Sequence, residues 1–143
     1  MNEMRLWDFV SASGRNEIRE WLDSLPKGDR GRVAQKLGLL LRIDFALLIH
    51  TSCLAGPIEK TGSIYKLRVR GDRNIQVLLC KGPDPQAMNT EYTLLVGATE
   101  PNRTLAPRGA SDMALRYRSE ILSDLERRRC PHESMERAVE RTV

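Results

Sequence analysis

Near the start of the chain, the spacing of apolar residues changes from an extended pattern to a helical one. The run Leu6–Val10 contains two aromatic residues and precedes a turn-like Ser-Ala-Ser-Gly segment, which predicts a first β-strand. From Gly14 the apolar residues recur at intervals of three and four, as on one face of an amphipathic helix: Ile18, Trp21, Leu22 and Leu25. Pro26 follows this stripe, so a helix is predicted over 14–25.

A second helix is predicted over 29–48, with Asp29 as its N-cap. Its apolar side consists of Val33, Leu37, Leu40, Leu41, Phe45 and Leu48. We expect the two helices to form a hairpin whose apolar stripes face a common core. The periodicity stops between His50 and Gly62, where Gly56-Pro57 interrupts any regular element.

Strict alternation then predicts a half-buried strand over 63–70. One face carries Tyr65, Leu67 and Val69, and the other carries Lys66, Arg68 and Arg70. The turn residues 71–74 and the apolar run Ile75–Cys80 complete a hairpin. A third β-rich run, Tyr92–Ala98, is expected to lie centrally in the sheet.

The last predicted helix is capped by Ser111 and has apolar residues spaced for one face: Ala114, Tyr117, Ile121 and Leu125. Together the elements predict an α+β fold in which a small antiparallel sheet packs against an N-terminal helical hairpin, with a C-terminal helix. We expect one domain over 1–129, followed by a polar, mobile or marginally helical tail over 130–143.

Composition adds little until the charge is located. Hydrophobic residues make up 41% and charged residues 29%, which is ordinary for a globular domain. The net charge of +4 is concentrated in 60–81, which holds a single acidic residue, Asp72, and six basic ones: Lys60, Lys66, Arg68, Arg70, Arg73 and Lys81. Such a concentration favours a polyanion as partner. On charge alone, a plain solvated strand face explains it equally well.

The sequence also bears on compartment and metals. The apolar stretch 37–49 is interrupted by Arg42 and Asp44, and the first residues lack the pattern of a signal peptide, so we expect a cytoplasmic protein without a membrane partner. The three cysteines are scattered, which fits a reducing compartment. The pairs His50/Cys53 and Cys130/His132 lack zinc-finger spacing, so no metal or other cofactor is expected.

The segments GRNEIREWLDSLP, GSIYKLRVR, NIQVLLCK and TLLVGATEPNRTLAP, in this order, resemble the RelE/ParE toxin superfamily and especially its phage-derived HigB-type toxins. The resemblance covers roughly 4–125, and its most specific piece is IYKLR, which ends at Arg68. It implies a RelE-like fold and a toxin of a type II toxin–antitoxin system. Such a toxin is a ribosome-dependent endoribonuclease that cuts messenger RNA without a metal, and a helix-turn-helix antitoxin encoded by the adjacent gene silences it.

Two departures from these toxins stand out. Val77 lies where relatives commonly have an arginine, and Glu100-Pro101 lies where they often have paired lysines. Arg73 and Arg103 are the nearest cations that could replace the missing charges.

RNA cleavage of this kind needs a proton acceptor for the attacking 2′-hydroxyl and cations that hold the phosphate. The fixed donor fork of arginine suits the second task, so Arg68 and Arg70 are the first candidates, with Arg73 beside them. Lys66 is the candidate for proton transfer. The candidate RNA-binding cations are Lys60, Lys81, Arg103 and Arg108. We expect His50 and His132 on the surface, and Tyr92 and Tyr117 in the core.

Two other functions remain open at this stage. A toxin of the same fold could poison DNA gyrase without cleaving RNA, as ParE-like proteins do. A toxin that has lost activity could also be retained as an inert partner for its antitoxin. The row Lys66, Arg68 and Arg70 favours the nuclease, whereas the departures at Val77 and Glu100 leave the alternatives open.

Overall fold

The fold is mixed α and β, as the sequence predicts. A computed structural model of the chain describes residues 5–71, 74–84, 86, 90–101 and 105–133. The elements of this part, in chain order, are β1 (Arg5–Phe9), α1 (Glu17–Ser24), α2 (Lys27–Arg42), α3 (Phe45–His50), β2 (Leu54–Ala55), β3 (Ile64–Arg70), β4 (Asn74–Lys81), β5 (Glu91–Thr99), α4 (Ala110–Ser123) and β6 (Arg129–Pro131).

The strands form one six-stranded sheet in the order β2-β3-β4-β5-β1-β6. The predicted hairpin β3-β4 and its continuation into β5 are antiparallel. The prediction of a wholly antiparallel sheet is wrong at β1, which runs parallel to β5 with Leu6 beside Tyr92. A parallel pair needs a long crossover connection, and the helices and strands between β1 and β5 provide it.

Each face of the sheet carries its own apolar core. On one face, residues of α1, α2 and α3 pack against the sheet, and this core includes Leu22, Val33, Leu40, Leu48, Leu67 and Val77. On the other face α4 packs against the sheet, and that core includes Phe9, Ile64, Leu78, Ala114 and Ile121. Because successive strand residues point to opposite faces, β3 contributes Leu67 to the first core and Ile64 to the second.

The helix predicted over 29–48 is two helices. Ile43 is extended (φ −117°, ψ 137°) and ends α2, and Asp44 begins α3. The break lets Phe45 meet Tyr65 edge to face at 5.2 Å between ring centroids and lets Leu48 enter the core.

The predicted helix caps are also wrong. α2 begins at Lys27 after Pro26, and Asp29 lies in its first turn, where its carboxylate pairs with Arg32 at 3.1 Å. α4 begins at Ala110 after Gly109, whose φ of 79° suits glycine, so Ser111 is inside the helix.

Gly97 explains how closely α1 approaches β5. A Cβ at this position would lie 1.9 Å from Cδ2 of Trp21, so only glycine leaves room for the indole ring. The glycine thereby fixes which part of the sheet α1 covers.

The sheet extends into the segment predicted to be a tail. β6 pairs antiparallel with β1, with Cys130 beside Asp8, and the amide of His132 donates to Leu6 O at 2.9 Å. The boundary predicted between 129 and 130 therefore falls inside a strand. His132, predicted on the surface, has a largely buried side chain whose Nδ1 lies 2.7 Å from Asp8 Oδ1. Among the described residues, no helix is long and apolar enough to cross a membrane.

Candidate functional site

A cavity of about 350 Å³ opens where the β3-β4 hairpin approaches its turn. We call it the β3-β4 cavity, and its lining consists of Arg68, Val69, Arg70, Asn74, Ile75, Gln76 and Glu100. Arg68 lies directly opposite Gln76 in the sheet, and Arg70 lies opposite Asn74. These four polar side chains share the face on which α4 packs, beyond the apolar residues that α4 covers.

The alternation predicted for β3 places the two arginines as expected. Leu67 and Val69 are buried, Tyr65 is half-buried, and Arg68 and Arg70 are exposed. Two adjacent guanidinium groups on one face can each present a planar donor fork to a phosphate. This arginine pair, Arg68 and Arg70, is the main positive feature of the cavity.

Lys66 differs from the prediction, because it is half-buried and paired. Its Nζ lies 3.4 Å from Glu100 Oε1, and the two side chains are only 18% and 19% exposed. An ammonium has no lone pair, so in this ion pair Lys66 is a hydrogen-bond donor. Lys66 therefore does not fit the predicted role of proton acceptor.

Glu100 is fixed in the cavity by three contacts. It follows β5 directly, and its amide donates to Asn74 O at 3.0 Å. Its Oε2 accepts a hydrogen bond from Gln76 Nε2, and its Oε1 faces Lys66. The carboxylate is thus held beside the arginine pair by a backbone bond and two side-chain contacts.

Gln76 leaves one polar atom unsatisfied. The residue is 2% exposed, and its Oε1 has no hydrogen-bond partner among the described residues. An unpaired buried acceptor costs on the order of 1–3 kcal/mol. Gln76 is also one of the residues that line the cavity.

Of the cations predicted to bind RNA, the three that the structure describes, Lys60, Lys81 and Arg108, do not line this cavity. Lys81 is at the opposite end of β4, and its ammonium lies 4.6 Å from the centroid of the Phe45 ring, on the face covered by α1–α3. Lys60 lies in the loop before β3, and Arg108 lies just before α4; both are exposed. Arg73 and Arg103 lie outside the described residues.

Comparison with family models, with curated proteins and with solved structures gives no match to this chain. The resemblance to RelE-like toxins therefore depends on the sequence segments alone.

The cavity also shows where two departures from those toxins, Val77 and Glu100, lie in the structure. Val77 is buried in the core under α1–α3, so the residue of β4 that faces the cavity is its neighbour Gln76. Sequence reasoning missed Gln76 and Asn74 and treated Glu100 only as a departure. The available signal was Gln76 itself, a polar residue within the otherwise apolar run 75–80.

A second charged cluster lies on β1, β5 and β6, toward the β6 edge of the sheet. We call it the Arg129 cluster: the guanidinium of Arg129 contacts the Glu91 carboxylate, lies 3.5 Å from Asp84 and lies 4.1 Å from the centroid of the Trp7 ring. Trp7 Nε1 also donates to Glu91 at 3.3 Å. Arg129 is buried, with 7% of its side chain exposed, so its charge is compensated inside the protein.

Neither histidine approaches the β3-β4 cavity. His50 is exposed at the end of α3, and His132 pairs with Asp8, which also accepts from Asn16 Nδ2 at 2.9 Å. Cys130 beside them is not an activated thiol, because burial and the Asp8 charge raise its pKa. No group of three or more potential metal-ligating side chains occurs within the described ranges.

Tyr92 and Tyr117 have packing roles, as the sequence predicts. Tyr92 is fully buried, and Tyr117 stacks on Phe9 with ring centroids 4.2 Å apart. Burial raises the pKa of both phenols, so they remain protonated near neutral pH. Neither residue lines the cavity.

Proposed function

We propose that this chain is the toxin of a type II toxin–antitoxin system, an endoribonuclease that cuts messenger RNA on the ribosome in the cytoplasm. The observation that carries the proposal is the arginine pair, Arg68 and Arg70, exposed side by side at the rim of a polar cavity. Arg68 is also the last residue of IYKLR, the most specific segment of the resemblance. Two independent features thus agree on the same residue.

The proposed reaction needs no group from outside the RNA to attack the phosphate. The 2′-hydroxyl of one nucleotide attacks the adjacent phosphodiester, the bond from phosphorus to the 5′-oxygen breaks, and a 2′,3′-cyclic phosphate and a 5′-hydroxyl result. Negative charge builds up on the phosphate oxygens as they pass through the pentacovalent state. The arginine pair supplies preorganised donors for that charge.

A RelE-like arrangement of the fold belongs to the same proposal. So does the partner, a helix-turn-helix antitoxin encoded by the adjacent gene. The antitoxin would silence the toxin by forming a tight complex with it.

Expression with and without the antitoxin tests this function. The chain expressed alone should arrest growth, and co-expression of the adjacent gene should relieve the arrest. Primer extension on cellular messages after induction should show new 5′ ends, and their positions within codons would report dependence on translation. Normal growth at high soluble expression, without new 5′ ends, would contradict the nuclease and favour the inert antitoxin partner.

One observation favours a second candidate, a toxin that poisons DNA gyrase without cleaving RNA. The contact between Lys66 and Glu100 neutralises one of the three cations of β3, so the surface is less positive than the sequence indicates. If growth stops without message cleavage, a supercoiling assay with purified DNA gyrase should show inhibition by this chain. Absence of inhibition would exclude the second candidate.

A further inference from the structure

Glu100 places a negative charge in the cavity where the proposed function requires a phosphate to bind. A phosphodiester bound to the arginine pair would bring its negative charge into the cavity that Glu100 lines. The negative charges of the phosphodiester and of the Glu100 carboxylate repel each other, so Glu100 should weaken RNA binding. A residue whose only task was to pair with Lys66 would not need to line this cavity.

The contacts of Glu100 hold it in one orientation. Its backbone amide is bound to Asn74 O, Gln76 donates to Oε2, and Lys66 faces Oε1. A carboxylate positioned in this way can accept a proton without first reorganising, as an effective general base requires.

The other polar groups around the cavity cannot accept that proton. Guanidinium groups are donors only, which excludes Arg68 and Arg70. The amides of Asn74 and Gln76 are not bases, and the Lys66 ammonium that pairs with Glu100 has no lone pair with which to accept a proton. Among the described residues that line the cavity, Glu100 is the one anionic acceptor.

We propose that Glu100 is the catalytic base of this site and takes the proton from the attacking 2′-hydroxyl of the RNA. The assignment rests on the proposed ribonuclease function. It replaces Lys66, the residue that the sequence suggested for this step.

The ion pair of Glu100 and Lys66 accounts for both proton transfers in this step. The 2′-hydroxyl gives its proton to Glu100 as the 2′-oxygen bonds to phosphorus. The 5′-oxygen leaves and takes a proton from the Lys66 ammonium, which lies beside the cavity. Protonated Glu100 then returns its proton to the Lys66 amine across their 3.4 Å contact, so both groups recover their starting forms.

The test compares Glu100→Gln with the parent, and with Glu126→Gln as a matched control at an exposed carboxylate outside the cavity. The substrate is a 5′-labelled messenger RNA loaded on ribosomes, followed in single-turnover reactions. Glu100→Gln should cut about a hundredfold more slowly or worse, because a positioned general base typically contributes at least that much. Glu126→Gln should cut like the parent.

Binding and pH separate a base from a residue that only supports the fold. Glu100→Gln should bind a non-cleavable 2′-O-methyl RNA as tightly as the parent or more tightly, because a negative charge has been removed. Its cleavage rate should also lose the decline at low pH that a carboxylate base imposes. Glu100→Asp should recover part of the rate, and thermal melting of all variants should match the parent.

The outcomes separate this assignment from the proposed function. If the parent itself cuts no RNA, the ribonuclease function is wrong. If the parent cuts and Glu100→Gln cuts as fast or faster, the function stands, but Glu100 is a brake on phosphate binding and not the base. If Glu100→Gln loses binding and stability together with cleavage, its role is structural and the assignment is overturned.

Discussion

Two arginine-containing clusters lie on different strands of the same sheet, one on β3 and β4 and the other on β1, β5 and β6, and they differ in how their charge is compensated. Arg129 is buried against two carboxylates and the ring of Trp7, so protein groups compensate its charge. Arg68 and Arg70 are exposed beside a cavity that holds one carboxylate, and Lys66 already pairs with that carboxylate. Removing a cation that is compensated inside the protein leaves a buried charge without its partner, whereas a cation that faces solvent remains available for a ligand.

The largest expected effect comes from removing the buried cation. Arg129→Ala leaves Glu91 buried without its cation, and breaking a buried ion pair in this way typically costs about 3–5 kcal/mol. Because the cluster joins β1, β5 and β6, the loss should appear as one lower melting transition of the whole domain. Urea unfolding followed by circular dichroism measures it, and Arg127→Ala, at an arginine that is 81% exposed, is the control. If Arg129→Ala were as stable as the parent, the claim that the Arg129 cluster has a structural role would be wrong.

Arg68→Ala should show the opposite result, with a large effect on activity and little on stability. The free energy of unfolding should change by less than about 0.5 kcal/mol, because the side chain is exposed. Cleavage of ribosome-bound message should fall on the order of a hundredfold, because one preorganised donor to the phosphate is lost. Arg68→Lys should recover only part of the rate, since a point charge cannot replace the guanidinium fork.

Arg127→Ala serves again as the control for general loss of positive charge, and growth arrest can be scored beside cleavage. If Arg68→Ala cuts and arrests growth like the parent while melting normally, the arginine pair is not part of the reaction. The β3-β4 cavity would then be a docking or solvated surface.

A smaller effect should appear only in alkaline solution, at Cys80. Burial raises the pKa of this thiol from near 9 to about 12, so the folded protein holds it in the neutral form. Its contribution to stability is complete below pH 9 and declines as the pH rises toward 12, because the unfolded chain then releases a proton that the folded chain retains. Near pH 10 the loss should be on the order of 1 kcal/mol.

The measurement compares the free energy of unfolding at pH 8 and pH 10 for the parent and for Cys80→Ala. The variant should lose less stability over this interval, because other titrating groups are common to both proteins. An identical loss would show that the Cys80 thiol does not titrate as its burial requires.

The sequence predicts best where the pattern of one segment determines the structure. The alternation in β3 correctly places Leu67 and Val69 inside and Arg68 outside, because period-two geometry requires it. The stripe of α1 is also correct, since Ile18 and Leu22 are both buried.

Predictions that depend on distant parts of the chain are less successful. The break at Ile43 follows from packing against the sheet, which a helical stripe does not encode. The pairing of β6 with β1 gives a structural role to Arg129, which the sequence shows only as the last residue of the predicted domain. Likewise, Glu100 comes close to Lys66 only because β4 brings β3 and β5 together, so its position in the cavity is a tertiary property.

The position of β1 has a consequence for the order in which the protein can be assembled during synthesis. β1 leaves the ribosome before the other described strands, but its two neighbours in the sheet are β5 and β6, the last two of those strands to be made. Contacts between residues so far apart in the chain form slowly, and they cannot form before both partners exist. The complete sheet, including the Arg129 cluster, is therefore assembled only after translation has passed Pro131, so a chain released early would lack it.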